Sequence, residues 1–286
     1  MLGKDPRTNI MKARVSISFG IDTEIVRAHD KSTASGALSG ADLLQSSESQ
    51  TNVLAILDLF HRYAIRSTWF VNTRSIELLP IHEVVIRGHE IAVRIPDASE
   101  ASLEADWMSE NIASVIRLSG RAPVGFTEPT IAATPTARGA WRTYAFMYSF
   151  SRRYGYYSCA EIRSSERWHL VDAKAGHPWR RDVHRNLETA VMTIPANWCL
   201  DELSSAHEFK HSGDHHGTRD IADIIKVWQS QIAYLGDSGS EANITFWVKL
   251  SVLRHLEPLL MLERFVERVR TGNSAQFKTL EQVAKS

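Results

Sequence analysis

Short runs of alternating apolar and polar residues are separated along this chain by longer segments with helical spacing. Apolar side chains alternate with serine over residues 15–19, which predicts a half-buried strand that leads towards Asp22. Residues 25–48 are polar and rich in Ser, Ala and Gly, and they predict a long loop. The apolar positions of residues 53–60 then fall at helical spacing.

The same alternation continues to the end of the chain. Further strands are predicted over 68–71, 90–93, 124–126, 156–158, 191–194 and 243–248 and near Phe277, and further helices over 80–88, 102–118, 134–154, 221–235 and 259–269 and at the C-terminus. Strands that alternate with helices predict a parallel sheet with crossovers, and about seven such units favour a barrel over an open sheet. We therefore expect an α/β fold, a (β/α) barrel of about seven strands, formed by residues 1–286 as a single domain.

Composition excludes several classes of partner. The 286 residues contain 33 Lys plus Arg and 33 Asp plus Glu, so no net field attracts nucleic acid or an anionic membrane. Two cysteines make no disulfide framework and fit a reducing compartment. Because no apolar run resembles a signal peptide or approaches a bilayer span, a cytoplasmic protein is expected. The oligomeric state stays open, a homo-oligomer included.

Six ordered motifs give the chain a family resemblance. They are Ser-Phe-Gly-Ile-Asp-Thr-Glu at 18–24, Arg-Ser-Thr-Trp-Phe-Val at 66–71, Gly-His-Glu-Ile-Ala at 88–92, Gly-Phe-Thr-Glu-Pro at 125–129, Ile-Pro-Ala-Asn-Trp-Cys-Leu-Asp at 194–201, and the closing helices at 261–265 and 279–284. Together they resemble the polysaccharide deacetylases of the NodB-homology family, particularly the branch of intracellular peptidoglycan deacetylases and allantoinase-like enzymes. The resemblance implies a deformed (β/α) barrel of the NodB-homology type.

The resemblance also implies which catalytic groups this chain has lost. The family hydrolyses C–N bonds with a divalent metal held by one Asp and two His, a second Asp as the base and a late His as the acid. Here the base position is Gly20, the metal-binding Asp is kept as Asp22, and the two His positions are Arg94 and Ala98. The late His position falls on Lys249.

One more family residue is replaced, and the loss of ligands has a consequence for metal binding. The arginine that orients the base in the family becomes Thr127. A single retained ligand does not hold a zinc ion, which needs at least three protein ligands. The resemblance therefore argues against the family's hydrolytic mechanism, and we expect no metal and no other cofactor.

Side chains at the carboxyl ends of the strands form the expected pocket, because barrels of this kind place their working residues there. The candidate catalytic residues are Asp22, Glu128 and Lys249. The candidate substrate-binding residues are Glu24, Trp69, Arg94, Trp198, Asp201 and Trp247. The three Trp side chains suggest an apolar pocket for a small-molecule ligand.

Arg94 has two interpretations that the sequence does not separate. Its guanidinium next to Asp22 would fill the empty metal position with a fixed positive charge. That pair is either a structural salt bridge or a holder for an anionic group of the substrate.

Two groups of histidines are open to a structural and a functional interpretation. His207, His211, His215 and His216 form the densest imidazole cluster, but the intervening glycines favour a solvated loop over a metal site. His89 lies in the Gly-His-Glu-Ile turn and is interpreted as a buried structural residue.

Three functions remain open at this point. The favoured one is a metal-independent enzyme that acts on a small, partly hydrophobic molecule by acid–base chemistry of the cyclisation, isomerisation or lyase type. The second is a non-catalytic pseudoenzyme that binds a ligand or a partner. The third is a C–N hydrolase with a rebuilt metal site, made from Asp22 with His89 or with histidines of the 207–216 segment.

Overall fold

The computed structural model describes residues 15–24, 40–95, 105–127, 144–151, 160–162, 167–170, 179–182, 191–196, 221–237, 242–250, 256–272 and 275–286. The strands are β1 (Val15–Asp22), β2 (Thr68–Val71), β3 (Glu90–Val93), β4 (Gly125–Thr127), β5 (Tyr148–Ser151), β6 (Ala160–Ile162), β7 (Arg167–Leu170), β8 (Trp179–Asp182), β9 (Val191–Pro195), β10 (Ala242–Lys249) and β11 (Ala275–Phe277). The helices are α1 (Gly40–Arg62), α2 (Thr73–Leu78), α3 (Ile81–Ile86), α4 (Ala105–Ser119), α5 (Ile221–Asp237), α6 (Leu256–Gly272) and α7 (Leu280–Ala284).

Seven parallel strands form the main sheet, in the order β10-β1-β2-β3-β4-β5-β9. Strand β6 adds antiparallel to β9, and β11 pairs in parallel with the first residues of β1. The sheet is nearly closed, and the described residues include no pairing between β9 and β10. This architecture confirms the (β/α) barrel of about seven strands that the sequence pattern predicts.

The two faces of each strand enter different layers. On β1 the apolar residues Ile17, Phe19 and Ile21 face outwards and are fully buried under the helices. There Phe19 stacks on Phe60 of α1, with ring centroids 5.3 Å apart. The alternate residues of β1 face the barrel interior, which is why this strand is buried along its whole length. Among the described helices none is both long and apolar enough to cross a bilayer.

Helix α7 closes the barrel at the amino-terminal ends of its strands. Thr279 caps this helix, and Leu280 is buried in the same interior cluster as residues of β2 and β5. The buried carboxylate of Glu90 accepts a hydrogen bond from the Glu281 backbone N–H at 2.9 Å. It also accepts one from the Tyr148 hydroxyl at 2.5 Å. The closed end leaves the opposite end, where the carboxyl termini of the strands meet, as the entrance.

Two predicted elements are wrong. The loop predicted over 25–48 ends earlier, because α1 already begins at Gly40. The helix predicted over 134–154 is wrong at its end, since residues 148–151 form strand β5 between β4 and β9. Tyr148 and Phe150 alternate with serines, which is compatible with a strand, and pairing with β4 and β9 fixes it. The strand predicted over 156–158 lies outside the described residues.

Candidate functional site at the mouth of the barrel

A buried ionic triad, made of Asp22, Glu24 and Arg94, lies at the mouth of the barrel, which is the end where β1, β3 and β10 finish. The Arg94 Nε donates to the Asp22 Oδ1 at 2.8 Å, and the Arg94 Nη2 lies 2.6 Å from the Glu24 Oε2. The Arg94 and Asp22 side chains are 6% and 3% exposed, and that of Glu24 is 25% exposed. The ion pair of Arg94 with Asp22 is the pairing that the sequence allowed, and Glu24 completes the triad.

Backbone hydrogen bonds fix the triad in place. The Asp22 Oδ1 also accepts from the Glu24 N–H at 3.0 Å, which turns the chain after β1 back over the carboxylate. The Arg94 N–H donates to the Val71 carbonyl at 2.8 Å and extends the pairing of β3 with β2. The Thr127 hydroxyl accepts from the Ile95 N–H at 3.0 Å, so this residue holds the segment after β3. Guanidinium and carboxylates are thus positioned by the sheet itself.

The electrostatics of the triad differ from those of a free arginine. Two carboxylates neutralise one guanidinium, so the three side chains formally carry one negative charge. Hydrogen-bonded charge pairs of this kind tolerate burial, whereas a single buried charge does not. The triad is therefore a preorganised cation between two anions, with the Glu24 carboxylate as its most accessible group.

Aromatic rings occupy the interior just below the triad. A Cβ placed on Gly20 would lie 2.9 Å from Cε2 of Phe70 and 3.6 Å from Cε3 of Trp247. Phe150 stacks on Trp247 with centroids 5.0 Å apart, and Phe70 lies 5.2 Å from the same ring. The space that a side chain at position 20 would need is filled by this aromatic plug, which we define as Phe70, Phe150 and Trp247.

Lys249 and Trp247 both face the interior from β10. Lys249 is in register with Asp22 and is partly buried, so the structure brings it to the mouth beside the triad. Trp247 is in register with Gly20 and is 4% exposed. Asp22, Glu24, Arg94, Lys249 and Trp247 are therefore the predicted site residues that the structure brings together.

Trp69 does not belong to this site. Neighbouring residues of a strand face opposite sides, so Trp69 points outwards while Phe70 points inwards. Its ring is fully buried, lies edge-on to His89, and its Nε1 donates to the Ser67 hydroxyl at 2.9 Å. The prediction of a substrate-binding Trp69 is wrong, because this side chain belongs to the core between sheet and helices.

His89 lies in the same outer layer. Its Nδ1 accepts from the Ser67 backbone N–H at 3.1 Å, and its ring lies 6.1 Å from that of Phe60. Burial, together with the charges of Arg66 and Arg87, lowers the pKa of His89 to about 4. The structural interpretation of His89 holds, and a metal site that combines it with Asp22 is contradicted because the two residues lie on opposite faces of the sheet.

Several predicted residues lie outside the part of the chain that the structure describes. These are Glu128, Trp198, Asp201, Ala98 and the histidines of the 207–216 segment. Their placement at the mouth stays a prediction.

The described residues do not fit the divalent metal that the family resemblance implies. Position 20 offers no donor atom, and the Asp22 Oδ1 is occupied by the Arg94 guanidinium. An arginine is always protonated and has no lone pair for a metal. Within the described ranges, no three His, Cys, Asp or Glu side chains lie close enough together to hold an ion. Among the described residues, the mouth thus offers acid–base and hydrogen-bonding side chains and no set of metal ligands.

Sequence reasoning missed the aromatic plug. It also missed the hydrogen-bonded group around the buried Glu90 at the closed end of the barrel. Phe70 and Phe150 look like ordinary strand residues, and only the alternation on β2 and β5 places them inside. Glu90 is 2% exposed, and burial raises the pKa of its carboxyl despite hydrogen bonds from Thr68, Tyr148 and the Glu281 backbone. A charged residue at the start of an apolar strand is the signal that could have identified it.

Comparison with known proteins supports the predicted family. A peptidoglycan deacetylase of Helicobacter pylori is 24% identical over 283 residues, which cover 96% of both chains. No protein-family model matches the chain.

Solved structures share the fold. A structure from Mycobacterium smegmatis described as a polysaccharide deacetylase superposes with a TM-score of 0.68 at 17% identity, covering 96% of this chain and 90% of the other. PuuE allantoinase superposes with the same TM-score of 0.68 at 18% identity and the same coverage. The chain thus has the fold of the NodB-homology deacetylases. Its ordered motifs resemble those of the polysaccharide deacetylases, and over nearly its whole length the chain is similar to a peptidoglycan deacetylase.

Proposed function

We propose that this chain is a metal-independent enzyme that acts on a small, partly hydrophobic molecule at the mouth of the barrel. The observation that carries the proposal is the position of Arg94, whose guanidinium is bonded to Asp22 and Glu24 where relatives of this fold would bind a metal. The guanidinium fixed at this place holds two carboxylates together at the mouth, in an arrangement that needs no metal ion. The reaction is acid–base chemistry of the cyclisation, isomerisation or lyase type, carried out by residues 1–286 as one domain.

The roles of the charged residues follow from their exposure. Asp22 is almost fully buried and binds Arg94, so we assign to this predicted catalytic residue the positioning of the guanidinium. Glu24 keeps a quarter of its side chain exposed, and Lys249 is partly buried and in register with Asp22 at the mouth. We assign proton transfer to Glu24 and Lys249, together with Glu128 if the segment after β4 reaches the mouth. General acid–base groups of this kind contribute about 10²–10⁴ in rate.

A second function, that of a non-catalytic binding protein, is favoured by the aromatic plug. Phe70 occupies the space that a base at position 20 would need, and the charges of the triad are satisfied within the protein. Such a barrel could hold a ligand without changing it. A third function, C–N hydrolysis at a rebuilt metal site, now depends on the 207–216 histidines.

Untargeted mass spectrometry separates the three proposed functions. A pool of small metabolites is incubated with the full-length protein in excess EDTA, without EDTA, and with added zinc. The proposal predicts that at least one small molecule is consumed, that Glu24→Gln and Lys249→Ala each slow its loss at least ~100-fold, and that the exposed control Glu77→Gln does not. Turnover that EDTA abolishes would establish the metal hydrolase. No turnover with or without added zinc would count against both enzymes and leave the binding protein.

A further inference from the structure

One buried donor at the mouth has no acceptor within the described residues. Trp247 is 4% exposed, and its indole Nε1 makes no hydrogen bond to that part of the chain. Buried N–H groups are nearly always paired, because burial without an acceptor removes a bond to water and returns nothing. An indole in this position therefore points to an acceptor that arrives from elsewhere.

The orientation of the ring shows where that acceptor would lie. Cε3 of Trp247 faces the backbone of Gly20, at 3.6 Å from the position of a Cβ there. Because Nε1 is on the opposite edge of the indole, the donor faces away from β1. On its other side β10 has no partner strand among the described residues. The donor thus lies on the edge of the indole away from β1, near the mouth.

The surroundings of the donor define the chemistry it accepts. Phe70 and Phe150 pack on the Trp247 ring, so the nearest surface is flat and apolar. The positive charge of Arg94 is taken up by two carboxylates, and Lys249 is also engaged in an interaction of its own. An anion that entered here would lose its hydration without gaining an unbalanced positive charge. A neutral acceptor such as a carbonyl oxygen avoids this cost.

We propose that the Trp247 Nε1–H donates to the carbonyl oxygen of a neutral, flat, mainly apolar ligand at the mouth of the barrel. This inference rests on the proposed function, since it names the class of molecule that the same site binds. It also replaces the expectation that Arg94 holds an anionic group. Trp247 becomes the specificity-determining residue, and the aromatic plug holds its indole in place.

Three probes that share one ring test the ligand class. Benzamide is neutral with a carbonyl, benzoate is an anion and benzylamine is a cation at neutral pH. They are titrated into the ¹⁵N-labelled full-length protein while the indole N–H resonances are recorded, and the Trp247 resonance is assigned by its loss in Trp247→Phe. We expect benzamide to shift this resonance with saturation and the two charged probes to bind at least ~10-fold more weakly. A Trp247 resonance that benzamide leaves unmoved, or that the charged probes shift equally, overturns the proposal.

A matched variant tests whether the indole is unpaired in the free protein. Trp69 is as deeply buried as Trp247, but its Nε1 already donates to Ser67. Trp69→Phe removes an existing hydrogen bond and Trp247→Phe removes none, so the midpoint of thermal unfolding should fall further for Trp69→Phe. An equal or larger fall for Trp247→Phe means that another part of the chain supplies the acceptor, and that result also overturns the proposal.

The two proposals fail separately. Turnover that survives EDTA, combined with an unshifted Trp247 resonance, rejects only the ligand class. Turnover that requires a metal rejects the proposed function, whatever the indole resonance does.

Discussion

Phe70 fills the space into which a side chain at position 20 would project. A Cβ on Gly20 would lie 2.9 Å from Cε2 of the Phe70 ring, closer than real Cβ contacts allow. The ring cannot easily give way, because it is packed between Phe150 and Trp247 at 5.3 and 5.2 Å. The loss of the base position and the packing of the interior are therefore one structural change, and this relationship leads to the first prediction.

Gly20→Ala is expected to destabilise the protein by ~1–3 kcal/mol, the usual cost of adding a methyl group to a packed interior. Phe70→Ala opens the space, so the double variant should be more stable than the sum of the two single effects predicts, by ~1 kcal/mol or more. Urea unfolding measures both values. The control is Gly236→Ala, where a Cβ on helix α5 would meet only Val15 at 3.9 Å and should be neutral or stabilising. Additive effects of Gly20→Ala and Phe70→Ala would contradict this packing.

The buried ion pair of Arg94 gives the second prediction. Arg94→Met leaves the Asp22 carboxylate buried without its partner, which should cost ~3–5 kcal/mol in the free energy of unfolding. Adding Asp22→Asn should recover part of the loss, because the uncompensated charge is removed. Asp58→Asn is the matched control, since Asp58 pairs with Arg87 at 2.6 Å on the surface, where such pairs contribute ~1 kcal/mol or less. Equal losses for Arg94→Met and Asp58→Asn would show that the triad is not buried as described.

His89 makes the stability depend on pH on the acidic side. Its pKa of about 4 in the folded protein lies below the ordinary value of 6.5, so the unfolded chain binds the proton more tightly. Stability is therefore full above pH 6.5 and falls as the pH drops towards 4, by up to ~3 kcal/mol. His89→Asn keeps an acceptor for the Ser67 N–H and should flatten this part of the profile. The exposed control His82→Asn should follow the wild-type profile, and a His89→Asn profile that does the same would refute the assignment.

Glu90 makes the stability depend on pH in the opposite direction from His89. Burial raises the pKa of its carboxyl above 4.5 in the folded protein, so the folded state holds this proton more tightly than the unfolded chain. The contribution of Glu90 is full below pH 4.5 and is lost as the pH rises through the raised pKa. Glu90→Gln removes the titration, so the stability of the wild type relative to the variant should fall as the pH rises above 4.5. A difference that is constant over this range would contradict the raised pKa.

The barrel was predictable because periodicity along the chain reports burial directly. The runs at 68–71 and 90–93 match strands β2 and β3 residue for residue, since short buried parallel strands have a strong apolar signal. Strand β5 was missed because Tyr148, Phe150 and their neighbours suit a helix as well as a strand. Only its pairing with β4 and β9 decides between them, and that information is not local.

The family motif was enough to predict which residues lie near each other in the candidate site, but not which way each side chain points. The motif brought Arg94 next to Asp22, and the structure joins them at 2.8 Å. The motif did not give the side of the strand, so Trp69 was assigned to a pocket that it does not face. The ion pair of Glu24 with Arg94 and the packing of Phe70 on Trp247 depend on how separate strands approach one another. Local sequence patterns do not predict such contacts.

Elemental analysis of the full-length protein, purified without an affinity tag, tests the central claim that Arg94 stands in place of a metal. We predict less than about one tenth of an equivalent of zinc, cobalt or nickel, because the two carboxylates of the site are bound to Arg94 and at least three ligands are needed. We also predict no rise in the midpoint of thermal unfolding when these ions are added. A stoichiometric divalent metal would contradict the account and would return C–N bond hydrolysis to first place.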